Sequence, residues 1–224
     1  MPPASISLTG RQCAGVVAVT GWVALTLQLI VTVDMTTGDG RTVGHAIWRY
    51  LSFFTILTNL LVALTLTRVA RARWPGGTPA DVSTITGVVL AIAIVGVTYH
   101  TLLSGRVPEM GPLWWTADRM LHYLIPAVSV LWWLAFVPAH RRSYRDPPAW
   151  LIFPASYLVY ALVRGSFDGW YPYFFIDVST LGYGRALLNS GGLAVGMLVA
   201  GYAVVAGARL LAPRRAALTR DVCA

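Results

Sequence analysis

Asp118 and His122 stand four residues apart in the stretch Asp118-Arg119-Met120-Leu121-His122-Tyr123-Leu124-Ile125-Pro126. On a helix this spacing puts both side chains on one face. A carboxylate one turn before a histidine orients the ring and favours the imidazolium. Asp118 also suits a helix start, as an N-cap or first-turn anion, and a cap beside a structural histidine is the plainer reading. A held histidine is a candidate general base, and a base needs a nucleophile. Hydroxyls occur in Trp48-Arg49-Tyr50-Leu51-Ser52-Phe53-Phe54-Thr55-Ile56-Leu57-Thr58-Asn59. There Ser52, Thr55 and Asn59 are spaced i, i+3, i+7, which predicts one polar helical face. The plainer reading has the hydroxyls bonded to carbonyls four residues back and Asn59 bridging to a neighbouring helix.

Other polar residues keep the same company. Tyr99 and His100 close an apolar run, Arg164 closes another, and Asn189 opens the last one. Arg119 sits beside Asp118. Pro126 is expected to free a carbonyl and bend its helix near the site. Arg164 to Asp177 is aromatic but too short to cross a bilayer. Its Trp170-Tyr171-Pro172-Tyr173-Phe174-Phe175 segment reads equally as an interfacial anchor or as a lid over the site. A charge at mid-bilayer costs roughly 2.5–3.5 kcal/mol even on the mild insertion scale. Polar groups gathered at one end of several apolar segments therefore predict a site there.

The elements that must position these residues follow from composition. Of 224 residues, 56% are hydrophobic and 12% charged, against about 25% charged in a soluble domain. Each helical crossing needs about 20 apolar residues. Spans are predicted near 12–33, 49–68, 82–104, 119–138, 149–164 and 186–211. No turn-bounded alternation suggests a barrel, and helices are the other way to satisfy backbone groups in lipid. The expected fold is all-α: a polytopic integral membrane protein with six transmembrane helices in one bundle, a single domain over residues 1–224. The first span is expected to be retained, since Met1–Gly10 has neither a basic region nor a cleavage site after it. Cys13 and Cys223 match no metal or redox spacing. No metal or cofactor is expected.

The net charge is +8, and all 17 basic residues are arginine. With the Ala, Val and Gly richness, that reads as a GC-rich bacterial genome. The N-terminus, loops 2–3 and 4–5 and the C-terminal end carry eleven arginines (Arg11, Arg68, Arg71, Arg73, Arg141, Arg142, Arg145, Arg209, Arg214, Arg215 and Arg220) against Asp81, Asp146 and Asp221. The other three loops and adjoining helix ends balance six arginines with six acids, Glu109 among them. The positive-inside rule then makes both termini cytoplasmic and the polar end outward-facing, in a bacterial inner or plasma membrane. The basic excess belongs to cytoplasmic loops and implies no nucleic-acid partner. Trp48, Trp74, Trp114, Trp115, Trp150 and Trp170 fall near span ends, where interfacial belts lie.

Three segments carry a resemblance to a known family. They are Trp48 to Asn59, the pattern Asp118-Arg119-x-x-His122-x-x-x-Pro126, and Tyr160 to Phe174. Together they resemble the bacterial six-transmembrane relatives of the androgen-induced protein family, which includes animal intramembrane hydrolases of fatty-acid esters of hydroxy fatty acids. The resemblance spans Trp48 to the start of the sixth span. It implies a threonine nucleophile on the second segment and a histidine on the fourth. The histidine falls on His122. The threonine position falls best on Ser52, with Thr55 as the alternative, and the family's asparagine before the histidine is replaced by Asp118.

Under that resemblance the chain is an intramembrane lipid-ester hydrolase, with membrane lipids and a fatty-acyl ester as partners. Ser52 or Thr55 is the nucleophile, His122 the base and Asp118 its orienting group. Asn59, Tyr99 or backbone N–H groups would stabilise an oxyanion. His100, Arg119, Arg164, Trp170, Tyr171, Tyr173 and Asn189 would line the binding region. The alternative is a non-catalytic protein that binds or moves a small amphiphile in the same outward pocket. A haem held by His100 and His122 is a third, weaker reading. Paired broken helices of a transporter and polar rings of a pore are not seen.

Overall fold

The computed structural model describes residues 6–72, 79–106, 111–138 and 142–221, without side chains at 79–81 and 211–221. Arg73, Trp74, Glu109, Arg141 and Cys223 lie outside the described residues, as do the side chains of Asp81, Arg214, Arg215, Arg220 and Asp221.

The described chain is helical, with no strand. Helix α1 is Leu8–Gly38, and a short α2, Val43–Tyr50, precedes α3, Phe54–Arg71. Helix α4, Pro79–Thr98, runs on through a π turn, Tyr99–Leu103, and a 3-10 turn, Ser104–Arg106. Helix α5, Pro112–Arg119, passes through a second π turn, Met120–Leu124, into α6, Ile125–Phe136. Helix α7, Asp146–Trp150, leads into α8, Ile152–Asp168. The last element, α9, is Val178–Asp221, kinked at Gly182, whose φ of 70° breaks the helical path. Six of these helical stretches are long and apolar enough to cross a membrane: Leu8–Gly38, Phe54–Arg71, Val82–Arg106, Pro112–Phe136, Asp146–Asp168 and Val178–Leu210. The chain has the architecture of a multi-pass membrane protein.

Packing follows membrane logic. Between lipid-facing helices there is no hydrophobic drive to associate, so close approach of small residues matters. Helix α1 buries Gly10, Ala14, Ala18, Gly21 and Ala24 along one face. A Cβ at Gly21 would sit 3.5 Å from Cβ of Ala63 on α3. Val62 and Leu66 of α3, Val88 and Ile92 of α4 and Ile125 and Trp132 of α6 complete this core with α1. Outward positions are apolar as well: Val16, Val159, Leu188 and Val199 are all more than half exposed. Helices apolar on all sides suit lipid rather than water.

Several span starts differ from expectation, and two of the differences matter for the site. The predicted second span at 49–68 is broken at Leu51–Phe53: Ser52 N–H bonds the Arg49 carbonyl and Phe53 N–H the Tyr50 carbonyl, a tight turn, and α3 begins at Phe54. Ser52 therefore lies in a turn and not on a helical face with Thr55 and Asn59. The predicted fourth span at 119–138 begins earlier, at Pro112, with Gly111 as N-cap. Asp118 is thus inside a helix instead of capping one.

Candidate active site

Thr55 occupies the second position of α3, with Phe53 as N-cap. Hydroxyls inside a helix usually bond the carbonyl four residues back, as Thr58 does to Phe54 at 2.7 Å. Four residues before Thr55 the chain is not in α3, so that partner is missing. The Thr55 hydroxyl turns instead to His122, with Oγ1 3.3 Å from Nε2. Its backbone N–H, one of the donors a helix start leaves unpaired, reaches the Tyr173 hydroxyl at 3.2 Å.

The other side of His122 fixes the ring's tautomer. Nδ1 lies 3.0 Å from Oδ1 of Asp118 and 3.0 Å from the Asp118 carbonyl. Two acceptors at Nδ1 place the proton there, which leaves Nε2 as an acceptor facing the Thr55 hydroxyl. Asp118 is 4% exposed, and its second oxygen accepts a 2.6 Å hydrogen bond from Tyr99. The Tyr99 ring also stacks on His122, with centroids 3.8 Å apart and planes 17° from parallel. His122 is thereby held at one nitrogen and across one face.

The backbone that carries His122 is irregular for an identifiable reason. Pro126 has no N–H to give the His122 carbonyl, and the chain widens into the π turn Met120–Leu124. Single π turns inside α-helices often occur at functional sites. Helix α4 packs closely on this turn through Gly96, where a Cβ would lie 3.1 Å from Cβ of Pro126 and 3.2 Å from the His122 carbonyl.

The aromatic loop after α8 covers the start of α3. Gly169, at φ 70°, ends α8 in the left-handed region that glycine adopts at little cost. Arg164, 2% exposed, donates to the Trp170 carbonyl at 2.7 Å and pairs with Asp168 at 3.2 Å. Its guanidinium also lies over the rings of Trp170 and Trp48. Tyr171 lies against Gly165, where even a Cβ would clash. Asn189 of α9 donates to the Phe175 carbonyl at 2.9 Å. These ties set Tyr173 beside Thr55, its hydroxyl 3.5 Å from Oγ1. Burial pushes the Tyr173 phenol up, partly offset by its hydrogen bonds with Thr55, so it stays a proton donor at neutral pH.

Of the residues singled out in the sequence, Thr55, His122, Asp118, Tyr99, Asn59 and Tyr173 are brought together. Ser52 is not joined to His122. Its hydroxyl donates to the Trp48 carbonyl at 2.7 Å, and its own carbonyl accepts from Tyr157 at 2.9 Å. Asn59 and Tyr99 are committed elsewhere as donors, the Asn59 amide to the Thr55 and Leu121 carbonyls. Asn59 Oδ1 is buried without a partner. His100 is exposed and lies near the Tyr123 hydroxyl at 3.5 Å. Arg119 is exposed over the Trp115 ring. Arg164, Trp170, Tyr171 and Asn189 build the loop around Tyr173. Among the described residues no cluster of His, Cys, Asp or Glu is fit to hold a metal ion.

Thr55 and Tyr173 open onto an apolar cavity of about 330 Å³ between α4, α8 and α9. Tyr157, which the sequence reading passed over, lines the same cavity. Nothing in its spacing within α8 marked it. No family model, curated protein or solved structure matches the chain.

Proposed function

We propose that the protein is an intramembrane hydrolase of lipid esters, with Thr55 as nucleophile, His122 as general base and Asp118 as the group that orients the imidazole. The observation that carries the reading is the unbroken chain from Asp118 Oδ1 through His122 Nδ1 and Nε2 to Thr55 Oγ1, ending at the mouth of an apolar cavity. The 3.3 Å contact is slightly longer than a tight hydrogen bond, and such dyads commonly tighten only when substrate binds.

The chemistry runs in two halves. Thr55 Oγ1 attacks the acyl carbonyl while its proton passes to His122 Nε2. The tetrahedral oxyanion sits at the start of α3, where backbone N–H groups and the positive helix end favour negative charge. The Tyr173 hydroxyl adds a donor. His122 then gives its proton to the leaving alkoxide, and an acyl-threonine remains. Water attacks this ester, His122 takes the water's proton, and Thr55 leaves as a hydroxyl. Asp118 stabilises the imidazolium in both halves.

The resemblance to the androgen-induced protein family supports the reading, since it implies a threonine on the second segment and a histidine on the fourth. Thr55 meets that expectation without the serine replacement that Ser52 required. The arginine distribution supports an outward site in a bacterial inner membrane, with both termini cytoplasmic. The cavity by itself would also serve a protein that only binds or moves an amphiphile. The threonine–histidine contact favours catalysis.

A fluorophosphonate probe on purified protein tests the assignment. Labelling and ester turnover should persist in Ser52→Ala and vanish in Thr55→Ala. Labelling retained in Thr55→Ala, or turnover unchanged in His122→Ala, removes the mechanism.

A further inference from the structure

The cavity below Thr55 has dimensions that select its occupant. Its walls are apolar, with Ile94 and Val95 from α4, Leu158 from α8 and Ala194 from α9. Along α9 the lining runs from Leu187 to Met197, which at 1.5 Å per residue is about 15 Å. That is the depth of one leaflet of a ~30 Å hydrocarbon core. An extended hydrocarbon advances about 1.3 Å per carbon, the projection of a ~1.5 Å carbon–carbon bond, so the length accommodates roughly eleven carbons.

Behind the inner end of this space stands one large side chain. Ala91, Leu151 and Met197, at the inner end of the lining, pack in one cluster with Trp150. The indole is pinned by a 3.2 Å hydrogen bond from Nε1 to Ser83 Oγ. It crosses between two helices that have no side chain where it passes. A Cβ at Gly87 of α4 would lie 2.5 Å from its Cδ1, and one at Gly201 of α9 would lie 3.3 Å from its Cε3. Trp150 is 8% exposed and backs the residues that form the inner end of the lining. On its flank, Ala155 of α8 and Gly191 of α9 line the cavity and are exposed, leaving a side approach from the lipid.

We infer that this cavity is a slot for a straight acyl chain of medium length, with Trp150, behind its inner end, as the end stop that sets the longest chain accepted. The inference rests on the hydrolase reading for placing the ester at Thr55. It goes beyond that reading by fixing the chain length and the residue that limits it.

The test uses full-length protein in detergent and a series of straight-chain para-nitrophenyl esters from butanoyl to octadecanoyl. For wild type, kcat/KM should rise about fourfold per added methylene, the value of burying one such group, up to roughly ten to twelve carbons, and then fall. Trp150→Ala should move the optimum longer by several carbons, and Ala194→Leu should move it shorter. The two variants alter the slot in opposite directions, so loss of folding in one leaves the other decisive. Thermal stabilisation of Thr55→Ala by straight-chain fatty acids of the same lengths reads the slot without turnover. A length optimum in stabilisation with no turnover in wild type upholds the slot and removes the hydrolase. Turnover with the same length cut-off in wild type and both variants removes the slot and leaves the hydrolase.

Discussion

His122 is held from three directions, and each contact has a different consequence if it is cut. Asp118 fixes the tautomer, Tyr99 braces Asp118 and stacks on the ring, and Thr55 uses the nitrogen that remains. Asp118→Asn keeps the size of the side chain but offers an amide N–H where the imidazole N–H needs an acceptor. Turnover should fall by about 10³–10⁴-fold while substrate affinity changes little, as for the third member of a hydrolytic triad. Under the proposed mechanism, Tyr173→Phe removes one oxyanion donor and should cost about 10²-fold in kcat. Steady-state kinetics on the two variants check both figures. A fall in KM-dependent terms alone would make these residues binding groups. The Asp118–His122 pair was readable from its i, i+4 spacing. The choice between Ser52 and Thr55 was not, because it depends on where α3 starts. No proline, glycine or charge marks the turn at Leu51–Phe53, and a row spaced i, i+3, i+7 looks the same whether or not its first member lies in the helix. Tyr173 was visible only as one aromatic residue in a run of them. The Arg164 and Asn189 ties shape the loop locally, but the contact with Thr55 joins residues 118 apart along the chain, which no local pattern records.

At the scale of elements, the site depends on α4 approaching the π turn that carries His122. Gly96 is the point of approach, with too little room there for an unadjusted methyl group. Gly96→Ala should force α4 and the turn apart by a few tenths of an ångström. Overpacking of this kind costs about 1–3 kcal/mol, and a small misplacement of reacting groups can cost about 10²-fold in rate. Gly207→Ala in α9 is the control, since a Cβ there meets nothing within 4 Å. It should leave turnover unchanged and raise stability slightly, as alanine for glycine does in an open helix position. Thermal unfolding and turnover measured together separate the two outcomes. Equal losses in both variants would remove Gly96 from the site's support. The bend at Pro126 was foreseeable from proline's missing N–H. The form it takes, a π turn facing a glycine, needed knowledge of the opposing helix. The earlier start of α5 at Pro112 likewise has local signals in Gly111 and Pro112, yet the apolar pattern that delimits a span begins later.

For the whole molecule, the segments long and apolar enough to cross a membrane were legible because lipid demands long apolar helices and little else. All six predicted spans overlap helices of that kind, with ends displaced by several residues. What composition could not supply was the gap between α4, α8 and α9. A cavity arises from helices that fail to pack closely, and hydropathy sees the same apolar residues whether they meet lipid, a neighbour or empty space. Sidedness remains a matter of charge. If the arginine-rich side is cytoplasmic, Ser166, exposed near the end of α8, faces outward, and Ala149, exposed in α7, faces inward. Single-cysteine variants in a background lacking Cys13 and Cys223 turn this into a measurement. A membrane-impermeant maleimide should label Ser166→Cys in intact cells and spare Ala149→Cys, and the pattern should reverse in inside-out vesicles. Labelling of Ala149→Cys in intact cells would put the Asp118–His122–Thr55 cluster at the inner leaflet. The contacts among Asp118, His122 and Thr55 would stand unchanged, but under the proposed mechanism the water that cleaves the acyl-threonine would then come from the cytoplasm.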